Sequence, residues 1–232
     1  MVWYDGRFPR YVPVGERREA QEATVTRRGE AVMRFVEPAA LVFEHRRQPH
    51  CEGYGHYLSA SAGAMGESTL VWVVAAGPRG RLRVETRSAQ CEGGTAVQVR
   101  VSDGTDTVAI SPAGSATVGE MSFAGAAAMV RESRTGAPRY GLVEGTRLTL
   151  GATALIVGDA PVSAGAIIEG GLFRATITCA EAAEVTLHCP VEPGMVRVAG
   201  IESPVDVRFD PDAATVTLDL PPGDYRIEVR GL

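Results

Sequence analysis

The stretch VQVRVSDGTDTVAI, residues 97–110, indicates the fold class more clearly than any other part of the chain. Three valines alternate with Gln98 and Arg100, which is the period of a strand that buries one face. Asp103 and Gly104 follow, and these residue types tolerate the backbone of a tight hairpin turn. A second apolar run, Thr107–Ile110, then returns. The stretch therefore predicts an antiparallel β-hairpin.

The same alternation recurs on both sides of this hairpin. Turn residues separate the runs, as at Glu144-Gly145 and Gly170-Gly171. Many short strands with few helical patterns are typical of a sandwich and not of βαβ units. We therefore predict an all-β fold, a single large antiparallel β-sandwich. The other alternating runs are Arg81–Glu85, Phe173–Thr178, Val205–Phe209, Val216–Leu220 and Tyr225–Val229.

Domain organisation is less clearly marked in the sequence. We expect residues 1–24 to form an N-terminal arm or linker and residues 25–232 to form the sandwich, with a possible subdivision near residues 111–119, which are rich in small residues. Helix formers occur at residues 16–23, which lack an apolar stripe and so predict an arm or a loose helix. They also occur at residues 124–130, where a core strand of small residues is an alternative.

The composition of the chain limits the classes of partner that it can bind. The 232 residues are 45% hydrophobic and carry a net charge of −5, so no global basic field exists to hold DNA or RNA, and we expect no nucleic-acid partner. No run approaches the ~18 apolar residues of a membrane span. The first ten residues, MVWYDGRFPR, lack the apolar core of a signal peptide. We expect a soluble protein without a membrane span, and its compartment stays undetermined.

Every one of the 23 basic residues is arginine. A GC-rich genome that avoids lysine codons explains this. A functional alternative is selection for the planar guanidinium, which grips carboxylate or sulfate through two parallel hydrogen bonds.

The four cysteines are too few for a disulfide framework in a chain of this length. Cys179 and Cys189 flank a short connection between two predicted strands, so a cross-strand disulfide is one possibility. Buried free thiols that act as small hydrophobic residues are the other.

The segment HRRQPHCEGYGHY, residues 45–57, holds three of the four histidines. Gly53 and Gly55 allow the backbone to bend, so that several polar side chains can reach one cleft. The first interpretation of the segment is a polar strand pair whose side chains only satisfy local hydrogen bonds. The second is a divalent metal site made by His45, His50 and His56. In a continuous strand His45 would lie on the opposite face from the other two, so we predict no metal and no other cofactor.

The third interpretation is the chemistry of acidic polysaccharides. Uronate β-elimination needs a cation to neutralise the carboxylate, a base and an acid. In this interpretation Arg46, Arg47 and Tyr54 bind the substrate. The candidate catalytic residues are His50, His56 and Tyr57. Carbohydrate binding without proton transfer would use the same tyrosine and arginines.

Two stretches between residues 97 and 156 carry a family resemblance: VQVRVSDGTDTVAIS, and MVRESRTGAPRYGLVEGTRLTLGATALI. Together with the closing LPPGDYRIEV, which is similar to the last hairpin of carbohydrate-active sandwiches, they resemble the C-terminal β-sandwich of heparinase II/III-like polysaccharide lyases. The resemblance covers about half of the chain and implies a sandwich fold. In that family the sandwich follows an α-helical toroid, which has no counterpart here, so no catalytic residue is transferred.

Together these observations predict an auxiliary or C-terminal β-sandwich domain of a system that degrades acidic polysaccharide. Its expected partner is the polysaccharide itself or a separate catalytic domain. Two alternatives remain: a polysaccharide lyase that acts through residues 45–57, or a purely structural interaction domain.

Overall fold

The computed structural model describes residues 84–101, 104–134, 139–200 and 205–231 with their side chains, Pro193 excepted, and the backbone of six strands between residues 17 and 77. The chain divides into two compact units, Met1–Ser88 and Ala89–Leu232. Residues 111–119 lie wholly within the second unit. All regular elements in the described ranges are strands, which confirms the predicted all-β class.

The described part of the first unit contains two three-stranded antiparallel sheets, ordered β1-β4-β5 and β2-β3-β6. Residues 17–20 and 22–26 are strands in them, so the helix considered at residues 16–23 is wrong there. In β2, Ala23 and Val25 alternate with polar residues and lie opposite Met33 and Ala31, a period that suits a strand. The strands are β1 (Arg17–Ala20), β2 (Glu22–Thr26), β3 (Glu30–Glu37), β4 (Leu41–Arg47), β5 (His56–Ser61) and β6 (Val71–Gly77).

Fourteen further strands form one antiparallel sheet. They are β7 (Glu85–Ala89), β8 (Thr95–Val101), β9 (Gly104–Ile110), β10 (Ser115–Val118), β11 (Met121–Ala124), β12 (Ala127–Ser133), β13 (Arg139–Leu150), β14 (Thr153–Glu169), β15 (Leu172–Cys179), β16 (Ala183–His188), β17 (Pro193–Ala199), β18 (Val207–Asp210), β19 (Thr215–Leu220) and β20 (Gly223–Gly231). The small-residue stretch 124–130 therefore belongs to strands β11 and β12, as the strand alternative predicted.

Two long strands fold this sheet into a sandwich. The first half of β13 pairs with β12 and its second half pairs with β11. The first half of β14 pairs with β16 and its second half pairs with β15. One layer therefore runs β17-β20-β15-β14-β13-β12-β9-β8-β7, and the other contains β10, β11, the remaining halves of β13 and β14, β16, β19 and β18.

The core lies between these layers as one connected cluster of buried side chains. Phe173, Ile177 and Ile227 come from the first layer, and Leu187 and Leu218 come from the second, all at most 1% exposed. They are the apolar members of the alternating runs seen in the sequence. Burying them supplies most of the stabilisation that a fold of this kind requires.

The predicted antiparallel pairing around Asp103-Gly104 and the hairpin at Gly170-Gly171 are confirmed, with Gly104 as the first residue of β9 and Asp103 outside the described residues. Val101 pairs with Gly104, and Glu169 pairs with Leu172. Gly170 and Gly171 have φ angles of 58° and 75°. Positive φ at both turn residues is the geometry of a type I′ turn, which glycine adopts without strain.

Two other predicted turns do not connect paired strands of a hairpin. At Glu144-Gly145 the chain does not reverse: β13 continues through an irregularity in register. A Cβ on Gly145 would fall 2.3 Å from the carbonyl oxygen of Ala124. This close backbone approach explains the glycine, which permits a bend between layers where the sequence suggested a loop.

The second difference concerns Pro221–Gly223. The strands on either side, β19 and β20, do not pair with each other: β19 pairs with β16 and β18, whereas β20 pairs with β15 and β17. The C-terminal hairpin expected from the sequence is therefore a crossing between layers. The Tyr225 hydroxyl donates to the carbonyl of Pro221 at 2.6 Å and holds this crossing.

Cys179 and Cys189 are free thiols in the structure, both buried. Cys179 ends β15 in the first layer, whereas Cys189 directly follows β16 in the second. Burial raises the pKa of both thiols. They act as small core residues, as the second interpretation of the cysteines proposed.

Candidate functional site

The hairpin β4–β5 carries several of the residues that the sequence singled out. Arg46 lies opposite Tyr57 and Arg47 lies opposite His56. Because alternate residues of a strand belong to opposite faces, the two pairs lie on different faces of the hairpin. His50 and Tyr54 lie outside the described residues. The backbone therefore brings an arginine beside each of two candidate proton-transfer residues, and the roles of all six stay predictions.

The register also bears on the metal interpretation. His45 lies opposite Leu58, two positions from the pair Arg47–His56. His45 and His56 consequently belong to the same face of the hairpin, whereas a continuous strand would separate them. Across the described residues with side chains, no group of three or more His, Cys, Asp or Glu is placed to hold a metal ion.

A concave site occurs in the second unit, on the outer face of the first layer. It is a groove of about 460 Å³ over strands β12 to β15 and β20. Neither its location nor its residues were anticipated from the sequence. Its side-chain lining includes Met129, Arg139, Ile167, Arg174, Thr176 and Arg226.

The floor of the groove includes Gly165, and Gly141, which is not among the lining residues, lies directly opposite it in the neighbouring strand. Met129 lies opposite Gly141, Gly141 opposite Gly165, and Gly165 opposite Thr176. Ile167 forms the next row and lies opposite Arg174. A strip of backbone without side chains therefore runs across two strands, with an apolar side chain beside it.

The floor is anchored from below by Tyr140, whose side chain points into the core and is 2% exposed. Its hydroxyl donates to the backbone carbonyl of His188, at the end of β16 in the other layer. Burial raises the pKa of this phenol well above its usual range. Tyr140 is therefore a neutral hydrogen-bond donor that links β13, below the groove, to the opposite layer.

Three arginines and one glutamate supply the charge of the lining. Arg139 forms an ion pair with Glu169 at the rim. Arg174 lies 3.3 Å from Glu228 through Nε, and both side chains are substantially exposed, at 54% and 37%. Arg226 has no ion pair or side-chain hydrogen bond within the ranges that the structure describes. The groove is thus locally positive on a chain of net charge −5.

The outer face of the second layer has a different electrostatic arrangement. Arg208 contacts Glu184 at 2.6 Å, Asp219 at 3.2 Å and Asp206 at 3.9 Å. The hydrogen bond that Arg208 donates to Glu184 raises the pKa of Arg208, and the charges of Asp219, Glu184 and Asp206 raise it further. This arginine is surrounded by three carboxylates, which compensate its charge and disfavour the approach of an anion.

No family model and no curated protein matches the chain. A search of the described ranges for a helix long and apolar enough to cross a membrane found none.

The sequence contained one signal for the groove. Gly141 and Gly165 interrupt strands that otherwise alternate, and glycine inside a strand often marks a place where another group approaches the backbone. The arginines carried no such signal, because an outward-facing arginine on a half-buried strand is ordinary.

Proposed function

We propose that the chain is an auxiliary β-sandwich domain of a carbohydrate-active system, which binds an acidic polysaccharide in the groove above β13, β14 and β15. The observation that carries this proposal is the open guanidinium of Arg226 in a groove that Arg174 and Arg139 also line, with the bare backbone of Gly165 in its floor. Guanidinium groups bind carboxylate or sulfate through charge-assisted, often bidentate hydrogen bonds.

Binding fits the groove better than catalysis does. The single carboxylate in its lining, Glu228, pairs with Arg174. Tyr140 contributes its backbone side, since its hydroxyl is bound to a carbonyl in the core. Neither group is placed as a base or an acid for a ligand in the groove, so the arginines act there as an anion clamp.

A lyase that uses residues 45–57 is the second candidate. The observation that favours it is the register of β4 and β5, which sets Arg47 opposite His56 and Arg46 opposite Tyr57. Such neighbours suit a carboxylate clamp next to a proton-transfer group.

Calorimetric titration tests the binding proposal, with oligomers of polygalacturonate, alginate and a heparin-like sulfated sugar, and a neutral cello-oligomer as control. We expect at least one acidic oligomer to bind at low salt and the neutral one not to bind. The double variant Arg174→Ala/Arg226→Ala should bind it on the order of 30- to 1,000-fold more weakly, since each charge-assisted hydrogen bond contributes about 1.5–3 kcal/mol and the two are not fully additive.

The matched control is Arg208→Ala, which removes an arginine from the opposite face and should leave the affinity unchanged. Equal affinity of the double variant and the parent, or no binding of any acidic oligomer, would refute the proposal. Ultraviolet absorbance from unsaturated uronate products, lost in His56→Ala, would establish the lyase in addition.

A further inference from the structure

Gly165 lines the groove and Gly141 is paired with it in the neighbouring strand, and the backbone conformation requires neither glycine. Their φ angles are not among the positive ones of the described residues. They lie within β13 and β14, directly opposite each other. Glycine in such a position weakens a strand, because it loses more conformational freedom on folding and packs no side chain.

Packing does not require these glycines either. A Cβ on Gly165 would lie 3.6 Å from the carbonyl oxygen of Tyr140 and 4.0 Å from Thr176 Oγ1, both ordinary contact distances. A Cβ on Gly141 would lie 3.5 Å from the carbonyl oxygen of Ala164. Gly145, four residues further along β13, differs, since a Cβ there would meet backbone at 2.3 Å. Packing therefore requires a glycine at position 145, whereas it does not require one at Gly141 or Gly165.

A side chain at Gly165 would extend into the groove, whose lining this residue forms. The absence of side chains at both positions leaves flat, bare backbone between Met129 and Thr176. This surface is shaped for a flat group that approaches the main chain closely.

We infer that Gly141 and Gly165 form a platform on which a sugar ring lies flat, and that the ligand of the groove is a polyuronate whose chain crosses the strands. This inference rests on the proposed function and specifies its substrate class. Strands β13 and β15, which carry Arg139 and Arg174, lie two strand spacings apart, about 10 Å. A ligand that reaches both arginines therefore carries at least two anionic groups and is an oligomer.

Carboxylate suits this arrangement better than sulfate. A uronate carboxylate is attached directly to the ring and lies near its plane, so it meets arginines at the rim when the ring is flat on the floor. A sulfate ester is bulkier, tetrahedral and projects away from the ring. Arg174 already pairs with a carboxylate, that of Glu228, and a planar carboxylate matches the fork of a guanidinium.

Single variants Gly165→Val and Gly141→Val test the platform, with two readouts: the melting temperature and the affinity for a polygalacturonate oligomer. Ala127→Val is the matched control, because Ala127 lies on the same outer face of β12, opposite Val143 and outside the groove lining. We expect each glycine variant to keep or raise the parental melting temperature, since valine suits strands. Gly165→Val should bind the oligomer at least about tenfold more weakly, a loss of about 1.4 kcal/mol, while Ala127→Val binds it as the parent does.

A lowered melting temperature in both glycine variants would show that the glycines are structural and would overturn the inference. Parental affinity of Gly165→Val for the oligomer would also overturn the inference, but it would leave the binding proposal intact. Preference of the parent protein for the heparin-like oligomer would overturn the uronate assignment alone. If the parent binds no acidic oligomer, the proposed function fails and the inference fails with it.

Discussion

The outer faces of the two layers both present arginine, yet the arginines differ in their surroundings. In the first layer Arg226 has no side-chain partner in the described ranges, and Arg174 has one carboxylate. In the second layer Arg208 is surrounded by Glu184, Asp219 and Asp206. Availability to a ligand therefore depends on the acids that the register places beside each arginine, and not on the arginine itself.

The same contrast separates structural from open charges within the first layer. Arg131 makes a bidentate pair with Asp106, with side chains only 20% and 16% exposed, and joins β12 to β9. This pair is adjacent to the groove strands but is committed to the fold. Four predictions test these distinctions, in order of decreasing expected effect.

Charge reversal at the open arginine should have the largest effect. Arg226→Glu removes an anion contact and adds repulsion beside Glu228, so we expect affinity for acidic oligomers to fall about 100-fold or more, measured by calorimetry at low salt. Arg208→Gln on the other face should leave affinity unchanged. A similar loss in both variants would mean that the two faces do not differ as described.

The second prediction concerns stability. Asp106→Asn weakens the partly buried pair with Arg131, and we expect it to lower the free energy of unfolding by about 1–3 kcal/mol. Asp219→Asn should change stability little, because Arg208 keeps Glu184 and the cluster is exposed. Urea denaturation measures both, and a larger loss in Asp219→Asn would reverse the distinction.

The third prediction addresses the connection between the layers. Tyr140→Phe removes the donor to the partly buried carbonyl of His188 and should lower the free energy of unfolding by about 1–2 kcal/mol, because that acceptor loses its partner. Tyr225→Phe is the comparison variant, since its hydroxyl binds a carbonyl at the exposed Pro221 crossing. Tyr225→Phe should lower the free energy of unfolding by less in the same denaturation experiment. An equal or greater decrease would contradict the stronger role of Tyr140.

The smallest effect is expected from pH. Burial in the second layer lowers the pKa of His188 below the ordinary histidine value of 6.5. As the pH falls below about 6.5, the unfolded chain binds a proton before the folded one does, so stability declines on acidification and is present in full above that pH. His188→Gln should therefore lose less melting temperature than the parent between pH 7.5 and 5.5. Parallel losses in the two proteins would exclude this contribution.

Local pattern predicted the strands well, because burial on one face imposes a period of two regardless of which strands pair. Runs such as Phe173–Thr178 and Val216–Leu220 have buried apolar residues and outward polar ones. Hairpins were predictable where two turn residues needed positive φ, as at Gly170-Gly171. In both cases the determining interactions are local in sequence.

The local pattern predicted the wrong structure at Glu144-Gly145. Its residue types are those of a turn, and Glu144 does have a positive φ of 48°. Whether such a pair reverses the chain or bends it depends on the approach of Gly125, whose Cα lies 2.7 Å from a Cβ built on Gly145. That contact between strands cannot be read from the segment itself.

The groove was missed for the same reason. Arg139, Arg174 and Arg226 are far apart in sequence and become neighbours only through the pairing of β13, β14, β15 and β20. The candidate binding residues predicted from the sequence are instead neighbours along the chain, Arg46 and Arg47 above all. Clusters of this kind are visible without a fold, whereas a site assembled across strands requires the register.

The passage of β13 and β14 through both layers also determines how the sandwich comes apart. Neither layer can separate as an independent unit, because each loses two of its strands when the other opens. We expect the second unit to unfold in one cooperative step, in which the slowest-exchanging amides of both layers share a single opening free energy. Cleaving the chain within either long strand would abolish both layers at once, whereas cleavage at the Gly170-Gly171 turn would interrupt only one hairpin connection.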